Sequence, residues 1–323
     1  VTTTFLSSEQ FSYLTEAAMA GEAVDAALQL GILKHLEEGP TSLDALADQC
    51  NIERRQARVL LGALVGLGLA QLDGEGKYVA AVNDFTRIGP TLMSSGRLTE
   101  SLRTRAPRVA ADTTGGAQTL YPTLLPYLAA AFRPAAEHAA GLLGGDGLKV
   151  LDLGAGAAPW TVAIATRHSG VDVTAVDLPD VIPVTRAAVS QAGVDDRFEM
   201  VAGDFFQIDL GEEVFDLVIA GGICHLFDEE SNRLLFKRAH RALAPAGRLA
   251  VIDVLPNERC DGPLPVLLYA LGLISRTRGG SVYPFSTYVE WLRATGFSGV
   301  ERFDLSERPP LSLITARRLE AAD

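Results

Sequence analysis

The sequence predicts a mixed α/β protein, an all-helical front followed by a doubly wound sheet. Three observations carry that expectation. Residues 9–100 repeat apolar side chains at helical spacing, and from residue 148 short apolar runs alternate with amphipathic stretches. The turn LDLGAG joins the first of those runs to the next stretch. With 323 residues and 48% hydrophobic content, the chain suits about two domains of ~100–200 residues each, and it has too many apolar side chains to be disordered.

The front reads as three helices and a hairpin. Ala17–Leu30 places Ala17, Val24 and Leu28 on one face, and Gly31 stops it. Thr41-Ser42-Leu43-Asp44 starts LDALADQC, and Arg54–Leu67 is apolar along Ala57, Leu60, Leu61 and Leu64. LAQLDGEGKYVAA sets Gly74 and Gly76 between two short alternating runs, a hairpin signal. This is the order of a winged helix. Residues 1–100 carry seven basic against thirteen acidic side chains, and the whole chain carries net charge −12. A helix that enters a DNA groove needs a basic face to displace counterions, so the expectation is an interface between subunits and no nucleic acid.

Residues 101–145 read as a connector: Arg103, Arg105 and Arg108 precede Gly115-Gly116 and a proline-containing helix. The three arginines suit a solvated face better than an anionic substrate. Beyond 148 the runs LKVLDLG, VDVTAVDL, RFEMVAGDF, VFDLVIAGGICHLF and RLAVIDVL read as strands, with helical stretches after the first, the second and the fourth. Residues 286–297 add a helix and LSLITARR a last strand. The expected partition is therefore 1–100, 101–145 and 146–323.

The three cysteines are scattered, and no cluster predicts a metal site. VTTTFLSSEQFSYL lacks the basic start and apolar run of a secretory signal, and no stretch approaches a membrane span, so the expected location is cytoplasmic with no membrane partner.

The chemistry gathers at Asp152-Leu153-Gly154-Ala155-Gly156. Gly154 and Gly156 let the backbone turn sharply and let a ligand approach it. Asp177 closes the next strand, 23 residues after Gly154, where a carboxylate can accept hydrogen bonds from ribose hydroxyls. A dinucleotide site would want a third glycine where Pro159 stands, and proline gives up an amide that could meet phosphate. Asp152 before the loop also suits a cation. These features favour a nucleoside with an amino-acid portion, S-adenosylmethionine. Asp204-Phe205 at the end of the next strand supplies a carboxylate for adenine N6 and an aromatic face.

These motifs, in this order, resemble the small-molecule O-methyltransferases of the plant caffeate type and their bacterial natural-product relatives. AVDAALQLGILKHLEEGPTSLDALADQCNIERRQARVLLGALVGLGLAQ is similar to the family's dimerisation domain, VLDLGAGAAPW to its cofactor loop, AVDLPDVI to its ribose segment with Asp177 and Leu178, and VAGDFF to its adenine segment. The resemblance implies a class I methyltransferase-like sheet, a winged-helix dimerisation domain, a homodimer and a small-molecule substrate. It places His225 of ICHLFDEE at the family's general base, with Asp253 as a supporting acid. An imidazole there can take a proton from a substrate hydroxyl.

Three positions depart from the family's pattern. Leu226 stands where the family has Asp, Gly221 where it has Lys, and Val282 where it has an orienting Glu. The expected activity is methyl transfer to a hydroxyl, carbon or nitrogen of a small secondary metabolite. The departures keep open a scaffold turned to cyclisation, elimination or decarboxylation. Tyr121, Trp160, Tyr269 and Tyr283, with Tyr127, Phe132, Leu267, Leu268 and Ile274, are the expected substrate-pocket residues.

Overall fold

The computed structural model describes residues 7–81, 97–107 and 110–319. The elements run α1 (Ser8–Gln29), α2 (Ile32–Glu38), α3 (Leu43–Cys50), α4 (Arg54–Gly66), β1 (Ala70–Leu72), β2 (Tyr78–Ala80), α5 (Arg97–Thr104) and α6 (Thr114–Leu143). Next come β3 (Lys149–Leu153), α7 (Pro159–Arg167), β4 (Asp172–Asp177), α8 (Ile182–Ala192), β5 (Phe198–Ala202) and β6 (Phe215–Gly221). The chain continues through α9 (Glu229–Ala242), β7 (Leu243–Asp253), α10 (Leu264–Ile274), α11 (Phe285–Ala294), β8 (Phe297–Glu307) and β9 (Pro310–Arg318).

These elements form two compact units: Ser12–Asp112 with Pro256–Pro284, and Thr113–Leu255 with Val1–Phe11 and Phe285–Asp323. The grouping differs from the linear partition expected from sequence. The connector is shared between the units, and residues 256–284, read as part of the 146–323 domain, fold with the front helices. The reason is visible in α10, which the alternation of strands and helices did not reveal because LPVLLYALGLI is apolar all round. Its Leu267, Leu268, Leu271 and Ile274 join Leu33, Leu46, Leu60, Leu61 and Leu64 in one core.

Within this helical unit α2 is a helix that the sequence reading lacked, and short-range caps start the two helices after it. Ser42 Oγ accepts the Ala45 amide at 3.2 Å and caps α3, while Gln56 Oε1 accepts the Glu53 amide at 3.0 Å to start α4. β1 and β2 pair antiparallel, with Asp73 Oδ1 accepting the amides of Glu75 and Lys77 and Gly76 turning at φ 74°. α4 meets the 256–284 segment through its glycines: a Cβ on Gly62 would lie 2.9 Å from the Cys260 carbonyl oxygen.

The other unit holds a seven-stranded sheet in the order β5-β4-β3-β6-β7-β9-β8. β5, β4, β3, β6 and β7 pair parallel, each crossing over through a helix or loop. The last strand departs from the parallel run, since β9 runs antiparallel between β7 and β8. β8 was not anticipated. Its partner follows across only Arg308 and Pro309, and so short a connection permits antiparallel pairing alone. α6 is continuous over 30 residues, capped by the Thr113 side chain accepting the Gly116 amide at 3.2 Å.

Cys50, Cys224 and Cys260 are free thiols. Among the described residues no helix is long and apolar enough to cross a membrane, and no group of three or more His, Cys, Asp or Glu could hold a metal ion.

Gly62→Ala tests the α4 contact. Helix propensity alone would add about 1 kcal/mol of stability, while overpacking against a backbone carbonyl costs about 1–3 kcal/mol. The expected outcome in a thermal melt is a lower Tm; a rise would show that the segment yields.

Candidate active site

The site is built on strand ends. Register pairs Leu153 of β3 with Val176 of β4 and with Ala220 of β6, and Gly221 of β6 with Ile252 of β7. Four adjacent parallel strands therefore finish at one level, and the residues that follow them share one edge of the sheet. The crevice outside the carboxyl ends of such strands is where this architecture binds ligands.

After β3 the chain turns through Gly154, Gly156 and Ala158, all left-handed, with φ of 66°, 57° and 49°. The amides of Gly154 and Ala155 donate to the Val176 carbonyl at 2.9 and 3.1 Å, fixing the turn on the end of β4. Thr185 Oγ1 donates to the Gly156 carbonyl at 2.6 Å. A Cβ on Gly154 would lie 2.9 Å from Ile223 and 3.5 Å from the Phe205 ring, and one on Gly156 would lie 2.7 Å from Leu125 of α6. Both positions thus require glycine for close approach as well as for φ.

Asp177 accepts the Gly156 amide on Oδ2 and the Leu178 amide on Oδ1, each at 2.7 Å. It is half-buried, and burial pushes its carboxyl above the usual range while the two amides pull it back. Each oxygen keeps a second lone pair, so the carboxylate can still accept from ligand hydroxyls.

Asp152 is 1% exposed, and Thr161 Oγ1 donates to its Oδ2 at 2.6 Å. Burial pushes its pKa up to about 7, the Thr161 bond opposes the rise, and the charge of Asp177 adds to it.

Asp204 is half-buried, with Oδ1 accepting the Phe206 amide and Oδ2 accepting from Gln207 Nε2, both at 2.9 Å. Phe205, Phe206 and Phe227 form an aromatic cluster with centroids 4.7–6.1 Å apart. Arg238 of α9 donates to the Phe205 carbonyl at 2.8 Å and to the Ile208 carbonyl, anchoring this turn.

After β6, residues Cys224–Leu226 form a single 3-10 turn that carries His225. Asn232 Nδ2, fully buried in α9, lies 2.9–3.1 Å from the carbonyls of Cys224, Phe227 and Asp228 and pins the turn. His225 is 7% exposed, and its Nδ1 lies 2.6 Å from Asp253 Oδ1. The His225 amide donates to Asp253 Oδ2 at 2.9 Å. Asp253 is the last residue of β7, so the strand end fixes the register of this carboxylate. The histidine thus has an orienting carboxylate despite Leu226 and Val282.

The structure treats the expected pocket residues unevenly. Trp160 is only 3% exposed; it stacks on Phe132 at 5.8 Å and 21°, and its indole fills the space a Gly221 side chain would need. That packing leaves it little surface for a ligand and gives a steric reason for glycine at 221. Tyr121 is half-buried on α6. Tyr269 and Tyr283, with Leu267, Leu268, Ile274 and Val282, belong to the helical unit, where the Arg276 guanidinium sits 5.5 Å from the Tyr269 ring centroid. Arg103 and Arg105 are exposed, and Arg103 donates to the Gln29 carbonyl at 3.3 Å. Arg108 and the Tyr127 side chain lie outside the described residues.

A glycine turn after the first strand of the sheet, an acid closing the second and a parallel sheet with one antiparallel strand define a class I methyltransferase-like protein. Residues 146–298 match the family model described as an O-methyltransferase domain. The chain is 27% identical over 307 residues to a 3-hydroxy-5-methyl-1-naphthoate 3-O-methyltransferase of Streptomyces sahachiroi, covering 86% of each. It is 24% identical to an L-tyrosine C(3)-methyltransferase of Streptomyces lavendulae, over 97% of this chain and 93% of that one. The structure of an O-methyltransferase family 2 protein from Planctomyces limnophilus, in complex with apigenin, superposes with TM-score 0.79 at 22% identity, covering 97% of both chains. These likenesses mark residues 146–298 as an O-methyltransferase domain; the chain is a methyltransferase, and S-adenosylmethionine is its cofactor.

Residues beyond the sequence motifs complete the site. Thr161, Thr185, Asn232 and Arg238 hold its loops, and Tyr288 of α11 places its hydroxyl 3.2 Å from Asp253 Oδ2. The first four are polar residues at helical positions that look solvent-facing in the sequence, so only the fold could mark them.

The buried Asp152 gives a pH test of stability. Its folded pKa of about 7 lies above the ordinary carboxylate value of 3.8. The folded state therefore holds the proton more tightly, and stability falls as pH rises between those values. Asp152→Asn removes the buried charge and keeps an acceptor for Thr161. Its Tm gain over the parent should be largest above pH 7 and vanish toward pH 4; a pH-independent difference would refute the assignment.

Proposed function

We propose that the chain transfers a methyl group from S-adenosylmethionine to a hydroxyl of a small natural-product metabolite, with His225 as general base. The single observation behind this reading is the 2.6 Å contact between His225 Nδ1 and Asp253 Oδ1 on the edge of the sheet that also carries the glycine turn.

The residues fit the cofactor. Gly154 and Gly156 give backbone that a nucleoside can approach, and Asp177 keeps lone pairs for ribose hydroxyls. Leu178, Asp204 and Phe205 flank the adenine side. Asp152, held partly neutral by burial, regains its charge most readily beside a cation such as the amino-acid portion of the cofactor. When bound, S-adenosylmethionine supplies an electrophilic methyl carbon on a sulfonium centre.

His225 acts on the acceptor. Asp253 holds the proton on Nδ1, so Nε2 is the basic nitrogen and takes the proton as the acceptor oxygen attacks. Asp253 then stabilises the imidazolium. Because this carboxylate fills the role left open by Leu226 and Val282, the non-methylating reading loses its motive. Methyl transfer to carbon stays within the proposal, since a relative's name records that outcome.

The front helices and hairpin follow the winged-helix order, and we read this unit as the dimerisation half of a homodimer. Exposed Tyr13 and Leu14 on α1, 63% and 54% accessible, support that reading.

Purified protein incubated with S-adenosylmethionine and hydroxyaryl acceptors should form S-adenosylhomocysteine and methylated product in equal amounts. Product without S-adenosylhomocysteine would remove the methyl-transfer reading. His225→Ala should lower turnover by about 10²-fold or more; an unchanged rate would assign catalysis to positioning alone. Asp177→Ala should weaken cofactor binding in calorimetry by about tenfold or more, the size of a lost charge-assisted hydrogen bond, and an unaltered affinity would sink its ribose role.

A further inference from the structure

We infer that Tyr288 is a positioning residue for the His225–Asp253 pair, its hydroxyl setting how strongly Asp253 polarises the imidazole. The inference deepens, and rests on, the reading of His225 as the base. Asp253 is 1% exposed and accepts four hydrogen bonds. Oδ1 faces His225 Nδ1 at 2.6 Å and the Val254 amide at 2.8 Å, and Oδ2 receives the His225 amide at 2.9 Å and Tyr288 Oη at 3.2 Å. Four donors match the lone-pair capacity of a carboxylate. Three of them come from the backbone and the histidine itself, and those three suffice to hold its rotamer. Tyr288 is the one side-chain donor of the four that belongs neither to the histidine nor to the backbone.

The tyrosine is placed with little freedom. It is fully buried in α11, 5.7 Å from the Trp291 ring and 6.4 Å from the Phe236 ring. The hydroxyl is therefore held by ring packing that phenylalanine would preserve. Its effect on the base is electrostatic: a donor to Asp253 spreads the carboxylate charge and weakens its pull on the Nδ1 proton. Removing the donor concentrates that charge on His225 and favours the imidazolium. Titratable groups around His225 include Asp253 from β7, with Tyr288 on that carboxylate, and Cys224 next to it on its own turn. Burial and the Asp253 charge push the Cys224 thiol up, so it stays neutral.

In this chain Val282 replaces the glutamate that the family resemblance places near the histidine, and Tyr288 supplies a neutral donor to the remaining acid.

The test reads the imidazole directly and needs no substrate. Protein labelled at histidine 13Cε1 is titrated by NMR, the His225 resonance being the one lost in His225→Ala. Tyr288→Phe should raise the His225 titration midpoint by about half a unit to one unit, the size of one net hydrogen bond. Site-specific 3-fluorotyrosine at 288, a stronger donor of nearly the same shape, should lower the midpoint, and it serves if Tyr288→Phe does not fold. An unchanged midpoint, or a shift of the opposite sign, in the folded variant overturns the inference. The base reading fails separately: it falls if His225→Ala keeps its turnover, whatever the midpoint does.

Discussion

Parallel pairing of β4, β3, β6 and β7 with their carboxyl ends at one level is the constraint from which the site follows. A parallel ladder cannot be closed by tight turns, so each strand must hand the chain to a loop and helix on the same edge. Asp177, the glycine turn, the His225 turn and Asp253 are all products of that geometry. Residues spread over about a hundred positions of sequence become neighbours because the strands between them are in register. The antiparallel β9 then flanks β7 on its other side, and the hairpin it forms with β8 completes the sheet.

Three aspartates on this edge show how one side chain is given different properties by its surroundings. Asp152 is enclosed with a single hydroxyl donor, and burial holds its pKa up near 7. Asp177 is half-buried and held by two amides, which partly offset desolvation. Asp253 is as buried as Asp152 but is surrounded by four donors, one of them the imidazole it orients. The number of donors, more than the depth of burial, separates the surroundings of Asp152 from those of Asp253.

Much of this was legible in the residues. The LDLGAG turn, the acid closing the next strand and the Pro159 start of α7 each have local causes: left-handed φ, a strand end and a preset helical φ. The hairpin at Gly74 and Gly76, and the helix start at Ser42, act over a few residues and were equally readable. The parts that escaped depend on distant partners. α10 is apolar all round, so its periodicity says nothing of where it belongs until it meets α4 and the front core. β8 follows Gly296 as a strand of mixed exposure whose pattern becomes clear only against β9. Trp160 looked like a pocket aromatic and is instead packed between Phe132 and the bare backbone of Gly221.

The sequence by itself determined the class of fold and the cofactor, and it marked Gly154, Gly156, Asp177 and His225 as candidate site residues, because each is written in a short motif with a local physical meaning. The tertiary structure alone decided that Tyr288 meets Asp253, and it gave geometry to the pairing of Asp253 with His225 that the family resemblance implied. Those contacts span 28 and 35 residues and join three separate elements. No spacing rule links a strand end, a 3-10 turn and a helix face; their meeting is set by sheet register and by the ring packing that holds α11 in place.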